Sequence, residues 1–196
     1  MLHRPRRLVF TVAALCLLAA CTPTSPTPTP SPAPSYRCTP EAGGDEFDCT
    51  QAQHDEMVAK DKLYAEAEAV YRKFLDEDVR ILRDGGIATA TPVIKETATG
   101  AFLTDSMDYY RSLKKDKAKL IGGEVLLRVL VRAPGVTKGG SVVAMRACVD
   151  ASSARIVIDG KEYGPGRRGS DLLYFGRVGG ALKIQGADGK EVDTCE

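Results

Sequence analysis

The apolar positions between residues 50 and 86 recur at intervals of three, four and seven, which is the spacing of one face of an α-helix. This stripe consists of Leu63, Ala67, Val70, Phe74 and Ile81. Thr50 followed by Gln53 is typical of a capping box at a helix start, and Gly85 with Gly86 marks an end. The pattern predicts a long amphipathic helix with one face packed on an apolar surface.

A second helical pattern covers residues 99–119. Its apolar positions are Phe102, Leu103, Met107, Tyr110 and Leu113. Lysines crowd the last turns, at Lys114, Lys115, Lys117 and Lys119. Cations at this end complement the negative pole of the helix dipole, which is sufficient to explain them. Binding of an acidic partner is the alternative.

From residue 121 onward the pattern changes to short apolar runs separated by glycine and proline. The predicted strands cover residues 124–132, 141–149, 155–158, 172–178 and 181–185. Predicted turns lie at residues 159–160, 179–180 and 188–189. Helices followed by consecutive strands indicate an α+β fold in which N-terminal helices cover one face of an antiparallel sheet.

One glycine motif, residues 164–169, matches G-x-G-x-x-G letter by letter. A dinucleotide-binding loop must follow a strand and open a helix, whereas this segment precedes a predicted strand. Pro165 also lacks a backbone N–H for a phosphate. The segment is predicted to be a loop between strands, with Arg167 and Arg168 either simply exposed or in contact with an anionic surface.

The first twenty residues have the pattern of a signal peptide. Arg4, Arg6 and Arg7 precede the apolar run 8–20, which is shorter than the roughly 20 residues that a transmembrane helix needs. The sequence Leu-Ala-Ala-Cys at 18–21 resembles the bacterial lipobox, in which the cysteine receives a diacylglyceryl group before cleavage. We therefore expect residues 1–20 to be a lipoprotein signal peptide and Cys21 to be lipidated. An ordinary secretory signal is the alternative.

Residues 22–35 contain threonine, serine, proline and one alanine, and cannot form a core. A Pro-rich segment of this kind favours an extended, disordered spacer of about 3.1 Å per residue, or roughly 40 Å in all. Its composition also resembles O-glycosylated stalks. We expect residues 21–35 to link a lipid anchor to a folded domain outside the membrane.

Four cysteines lie beyond the predicted anchor: Cys38, Cys49, Cys148 and Cys195. Disulfides persist in the oxidising compartment that the leader indicates, and four cysteines allow three pairings. We favour Cys38 with Cys49, which closes the loop 36–49, and Cys148 with Cys195, which ties a strand to the C-terminus. A metal site formed by Cys38, Cys49 and His54 is the alternative, but its spacing matches no zinc motif.

Charge and length bound the remaining possibilities. Without the three leader arginines, 24 basic residues face 26 acidic ones, so nothing indicates nucleic-acid binding. Residues 50–196 suit one domain. The sequence suggests no cofactor and no metal.

The element order resembles the cone-shaped superfamily named after nuclear transport factor two, also called SnoaL-like, and in particular its actinobacterial lipoproteins. The likeness rests on the sequence Cys-Val-Asp-Ala-Ser at 148–152, the C-terminal Cys195, the lipobox and the linker. It implies N-terminal helices on a curved antiparallel sheet, with a pocket between them. Catalytic members of that superfamily place acid and base residues inside this pocket.

The resemblance implies six acid/base candidates, namely Tyr64, Tyr71, Asp105, Asp108, Tyr109 and Asp150. Tyr64, Tyr71, Asp108 and Tyr109 are the predicted pocket-lining residues. The tyrosines have the spacing of core positions and Asp150 precedes an expected turn, so no catalytic residue is assigned. We expect a lipid-anchored protein on the extracytoplasmic face of the cell membrane, with a non-catalytic domain that binds an apolar small molecule or an envelope protein. A pocket enzyme of the isomerase or cyclase type, using Asp and Tyr, is the alternative.

Overall fold

A computed structural model describes residues 35–195 of the chain. The fold is α+β, as predicted, with a long helix packed on antiparallel sheets. The predicted signal peptide, Cys21 and all but the last residue of the predicted linker lie outside the described residues. No helix within residues 35–195 combines the length and the apolar character needed to cross a bilayer.

The first long helix, α1 (Gln51–Asp84), has the predicted ends. The Thr50 hydroxyl accepts a hydrogen bond from the backbone N–H of Gln53, and the Gln53 side chain accepts one from the Thr50 N–H at 2.9 Å. Gly85 ends the helix at φ 82°, a conformation that glycine adopts without a Cβ penalty. The capping prediction is therefore confirmed at both ends.

Two further helices follow, α2 (Pro92–Thr97) and α3 (Gly100–Asp116). The short α2 was not predicted, although Thr91 caps it and Pro92 opens it. The predicted end of α3 at Lys119 is wrong, because Lys117 has a left-handed backbone at φ 51° and Ala118 begins a strand.

Nine strands form three antiparallel sheets within the described residues. The first sheet is a hairpin of β1 (Tyr36–Cys38) and β2 (Phe47–Cys49). The small sheet has the order β3-β6-β7, with β3 (Ala118–Ile121), β6 (Arg155–Ile158) and β7 (Lys161–Pro165). The large sheet has the order β4-β5-β8-β9, with β4 (Leu126–Arg132), β5 (Val143–Asp150), β8 (Arg168–Val178) and β9 (Ala181–Glu191).

One of the turn predictions is wrong. Residues 188–189 continue β9, where Gly189 pairs with Asp171 of β8. The glycine motif 164–169 does connect two strands, as predicted, but the loop is only Gly166 and Arg167, because β7 ends at Pro165 and β8 begins at Arg168. The predicted strands at 172–178 and 181–185 are thus parts of longer strands that pair with each other.

The main core lies between the helices and one face of the large sheet. Its most deeply buried members include Ala67, Ile81, Ile94, Tyr110, Leu173, Phe175 and Ile184. Full burial of each large apolar side chain contributes about 2 kcal/mol. A smaller cluster of Ala133, Ala144 and Tyr174 covers the opposite face. All these core residues lie within the described part of the chain.

The structure contains both predicted disulfides. Cys38 and Cys49 join β1 to β2, and Cys148 of β5 is bonded to Cys195. The two cysteines of the alternative metal site are therefore bonded to each other and have no thiol to offer a metal ion. Among the described residues no group of three or more His, Cys, Asp or Glu side chains is placed to hold a metal ion.

Candidate functional site

An aspartate of α1 and a tyrosine of α3 meet inside the domain. The Tyr110 hydroxyl donates a hydrogen bond to Asp78 Oδ1 at 2.6 Å. Tyr110 is buried, and Asp78 is half-buried. Burial raises the pKa of Asp78 to about 6, against the lowering effect of the Tyr110 hydrogen bond, and the charge of Asp171 raises it further.

Asp171 lies on β8 and shares the helix-facing side of the large sheet with Leu173 and Phe175, since side chains alternate along a strand. Burial raises the pKa of Asp171 as well. Its strand neighbour Gly189 leaves space for the carboxyl, because a Cβ on Gly189 would lie 2.3 Å from Asp171 Oδ1. The absence of a side chain at this position therefore accommodates the acid.

Tyr71 and Tyr109 complete the acid–tyrosine cluster, which we define as Tyr71, Asp78, Tyr109, Tyr110 and Asp171. Tyr71 is buried, and its pKa is raised by burial and by the charges of Asp171 and Asp78. The pKa of Tyr109 is raised by burial and by Asp78, and lowered by Arg167. Titratable groups from α1, α3 and β8 thus influence one another at this position.

An apolar cleft lies beside the cluster, between the last turns of α1 and α3 and the small sheet. Its volume is about 590 Å³. Its apolar lining includes Leu82, Leu113, Ala118, Leu120, Ile156 and Ile158. Register explains the sheet side of this lining, because Ala118 pairs with Ile158 and Leu120 with Ile156, so all four side chains share one face.

A second recess of about 710 Å³, lined by more charged residues, adjoins the apolar cleft. Tyr109 and Arg167 line both spaces, and Asp171 lines the second. The acid–tyrosine cluster therefore borders a recess through Asp171 and Tyr109. The arrangement offers an apolar surface beside polar groups, as small-molecule sites commonly do.

The structure brings two of the four predicted pocket residues together, Tyr71 and Tyr109, in the acid–tyrosine cluster. Asp108 lies on the outer surface of α3, where its side chain is 68% exposed and forms an ion pair with Arg111 at 2.8 Å. Tyr64 lies near the start of α1 and borders a separate groove of about 660 Å³.

That groove is a weaker candidate for ligand binding because its polar groups already pair with one another. The Tyr64 hydroxyl donates to Glu41 Oε1 at 2.6 Å, and Lys60 donates to Glu41 Oε2 at 2.9 Å. Arg132 lies over the Tyr64 ring and forms an ion pair with Asp61. Few polar atoms there are free to recognise a ligand.

The remaining two acid/base candidates have other surroundings. Asp105 borders a recess at the start of α3. Asp150 accepts hydrogen bonds from the Ser152 hydroxyl and N–H, which together with Arg168 hold its pKa at about 2. Asp150 therefore shapes the turn after β5, as its position before two serines suggested.

Asp78 and Asp171 were missed because both lie within apolar patterns. Asp78 follows Phe74 by four residues and precedes Ile81 by three, which places a carboxyl on the buried stripe of α1. Asp171, Leu173 and Phe175 are two residues apart along β8, so the Asp171 side chain lies on the same buried face as the two apolar side chains. A charged residue in phase with a core stripe is the signal that would have found them.

Comparison of the chain with protein-family models and with curated proteins finds no match.

Proposed function

We propose that this chain is a lipid-anchored extracytoplasmic protein whose α+β domain binds a small, mainly apolar molecule in the apolar cleft. The observation that carries the proposal is the convergence of apolar side chains from α1, α3, β3 and β6 on one space of about 590 Å³. This volume is within the range of roughly 300–1,000 Å³ that is usual for ligand pockets.

The leader pattern and the lipobox support the location, and the two disulfides suit an oxidising compartment. The proposal includes membership of the cone-shaped superfamily. A long helix on an antiparallel sheet, with a recess between helices and strands, is consistent with that architecture. Catalytic activity does not follow from such a fold, since one fold serves many functions.

The anchor is tested by Cys21→Ser in the full chain expressed in a bacterium that processes lipoproteins. The wild type is expected to incorporate labelled fatty acid and to partition with membranes, and the variant is expected to do neither. Cys16→Ser is the matched control, because Cys16 lies in the segment expected to be removed. Lipid incorporation by the Cys21→Ser variant would exclude the lipobox assignment.

Ligand binding is tested with a fluorescent fatty acid, cis-parinaric acid, added to the mature chain (residues 21–196) carrying Cys21→Ser. This chain retains every core residue described above. Ile158→Gln places a polar group in the cleft and is expected to weaken binding by about tenfold. Val142→Gln is the control, because Val142 is 49% exposed outside the cleft. Equal affinity of the two variants would exclude the cleft as the site.

A second candidate function is proton transfer by Asp171, the acid of the cluster that lines the second recess together with Tyr109. Burial raises the pKa of Asp171, and a carboxyl group with a raised pKa is suited to general-base catalysis. In this mechanism, Asp171 removes a proton next to a ligand carbonyl, and the Tyr109 hydroxyl donates a hydrogen bond to the enolate oxygen that forms. The same carboxyl then returns the proton to another carbon, which gives an isomer.

Uptake of deuterium from D₂O by a panel of cyclic and linear ketones, followed by NMR, tests this second candidate. Wild-type protein is expected to label a ketone faster than Asp171→Asn, which keeps the shape of the side chain and removes the base. Asp108→Asn, at an exposed position of α3, is the control. If no ketone is labelled faster by wild type than by Asp171→Asn, the proton-transfer role is excluded, while ligand binding is unaffected.

A further inference from the structure

Asp171 of β8 and Asp78 of α1 are neighbouring carboxylates without a cation of their own. Both side chains are half-buried, and the charge of Asp171 raises the pKa of Asp78. Within residues 35–195, no lysine, arginine or histidine forms an ion pair or a hydrogen bond with either carboxylate. Charges that lose hydration without gaining a partner are unfavourable, so the pair is suited to a cation from outside the chain.

The Asp171 carboxylate also has unused capacity to accept hydrogen bonds. Asp78 accepts one from the Tyr110 hydroxyl, whereas Asp171 accepts none from residues 35–195. Its oxygens are not sealed inside the protein, because His54 Nδ1 is the one fully enclosed side-chain atom without a partner in that part of the chain. Asp171 lines the second recess. A group that enters this recess therefore meets a carboxylate that is free to bind it.

The Tyr71 hydroxyl is a further polar group without a partner at the same position. Tyr71 is 3% exposed, and its hydroxyl forms no hydrogen bond with the described residues. The charges of Asp171 and Asp78 both raise its pKa, so the hydroxyl lies near the two carboxylates. Its oxygen is likewise not fully enclosed. Because buried hydroxyls are normally hydrogen bonded, this oxygen also points to a ligand group beside the two acids.

Two of the cations that line the second recess are paired with acids other than Asp171. Arg167 forms an ion pair with Glu191 at 2.7 Å. Arg168 lies 3.1 Å from Asp150. Both arginines therefore leave the charge of Asp171 uncompensated.

The third cation at the second recess, Lys190, points away from Asp171. Its neighbour on β9, Gly189, is paired in register with Asp171. Since successive side chains of a strand lie on opposite faces of the sheet, the Lys190 side chain is on the other face. The helix-facing side of the recess thus presents the unpaired acid Asp171 together with Tyr109.

We propose that the ligand of the apolar cleft is a primary amine with an apolar body, and that Asp171 binds its ammonium group in the second recess. The inference rests on the proposed function, since the cleft holds the apolar body. Tyr109 lines both spaces, so body and head occupy adjoining sites. An ammonium group has three N–H donors for Asp171, Asp78 and the Tyr71 hydroxyl, and tyrosine rings attract cations as well.

The test compares n-octylamine, which is protonated at neutral pH, with 1-octanol, which has the same chain and no charge. Calorimetric titration of the mature chain carrying Cys21→Ser is expected to show about tenfold tighter binding of the amine. Asp171→Asn keeps the shape of the side chain and is expected to abolish this preference with little effect on octanol. Tyr71→Phe keeps the buried ring and is expected to weaken amine binding severalfold.

Asp108→Asn is the matched control, because Asp108 is exposed on α3 outside both spaces, and it is expected to retain the preference. Equal affinity of the wild type for amine and alcohol would overturn the inference and leave ligand binding in the cleft standing. A preference that survives Asp171→Asn would also overturn it, and would point to Asp116 of the cleft instead. A preference that depends on Asp171 but is accompanied by no effect of Ile158→Gln on either compound would overturn the cleft, and with it the proposed function, but not the ammonium site.

Discussion

The Tyr110 hydroxyl donates a 2.6 Å hydrogen bond to Asp78 and so connects α3 to α1 next to the main core. Tyr110→Phe removes the donor and leaves the half-buried Asp78 carboxyl without it. We expect the free energy of unfolding at neutral pH to fall by about 1.5–3 kcal/mol, as for other hydrogen bonds to charged groups. Chemical denaturation measures this change. Tyr109→Phe, at a half-exposed position, is expected to change stability by less than about 0.5 kcal/mol.

Because the pKa of Asp78 is raised, the free energy of unfolding is expected to depend on pH. Its value of about 6 in the folded protein lies above the ordinary 3.8, so the native state binds the extra proton between these values. The contribution of Asp78 to stability is therefore highest near pH 4 and decreases as pH rises through about 6. Relative to Asp78→Asn, the wild type is expected to lose at most about 3 kcal/mol across this window.

The measurement is the free energy of unfolding of both proteins at several pH values between about 4 and 7. Groups with lowered pKa values, such as Asp150 at about 2, lose their stabilising effect at lower pH and are common to both proteins. Parallel curves for wild type and Asp78→Asn would show that Asp78 has an ordinary pKa.

Gly189 is predicted to be sensitive to a single methyl group. Gly189→Ala places a Cβ 2.3 Å from Asp171 Oδ1 and is expected to cost about 1–3 kcal/mol, as overpacking does. Gly169→Ala on β8 is the control, since a Cβ at this position would have no atom of another residue within 4 Å beyond its two chain neighbours. Adding Asp171→Ala to Gly189→Ala is expected to restore part of the loss, and purely additive effects would contradict the steric explanation.

The two disulfides are expected to differ in their effect on stability. Cys148 and Cys195 are 47 residues apart, and Cys38 and Cys49 are 11 apart. The chain-entropy relation predicts losses of about 4 and about 3 kcal/mol for the respective Ser/Ser variants. The Cys38–Cys49 bond also stabilises only the peripheral hairpin of β1 and β2, which increases the difference in stability loss between the two variants. Thermal unfolding of both variants checks the order, and a larger loss for the Cys38–Cys49 pair would contradict it.

Local signals were enough to predict α1, because Thr50, Gln53 and Gly85 define its ends by contacts within a few residues. The short strands β3 and β7 were missed, since strands of four and five residues depend on pairing with β6 rather than on a periodic pattern. Pairing with β8 likewise makes β9 longer than predicted, because it includes residues 188–189, whose sequence alone is typical of a turn.

The candidate site was harder to predict than the fold. Tyr71 and Tyr109 were among the pocket residues that the resemblance implies, but the acids near them come from α1 and β8, which are far apart in sequence. Asp108 lies on the same helix as Tyr109 but faces solvent, because neighbouring residues of a helix point about 100° apart. Placement of acids around the tyrosines therefore required the tertiary packing of α1, α3 and β8.

The most direct test of ligand binding in the apolar cleft is to map the site by NMR. Fatty acid is added to the ¹⁵N-labelled mature chain carrying Cys21→Ser, and amide chemical-shift changes are followed. We expect the largest changes at the cleft residues Leu82, Leu113, Leu120, Ile156 and Ile158, with smaller ones at Tyr109. Changes confined to the groove around Tyr64 and Arg132, or no saturable change, would contradict binding in the cleft.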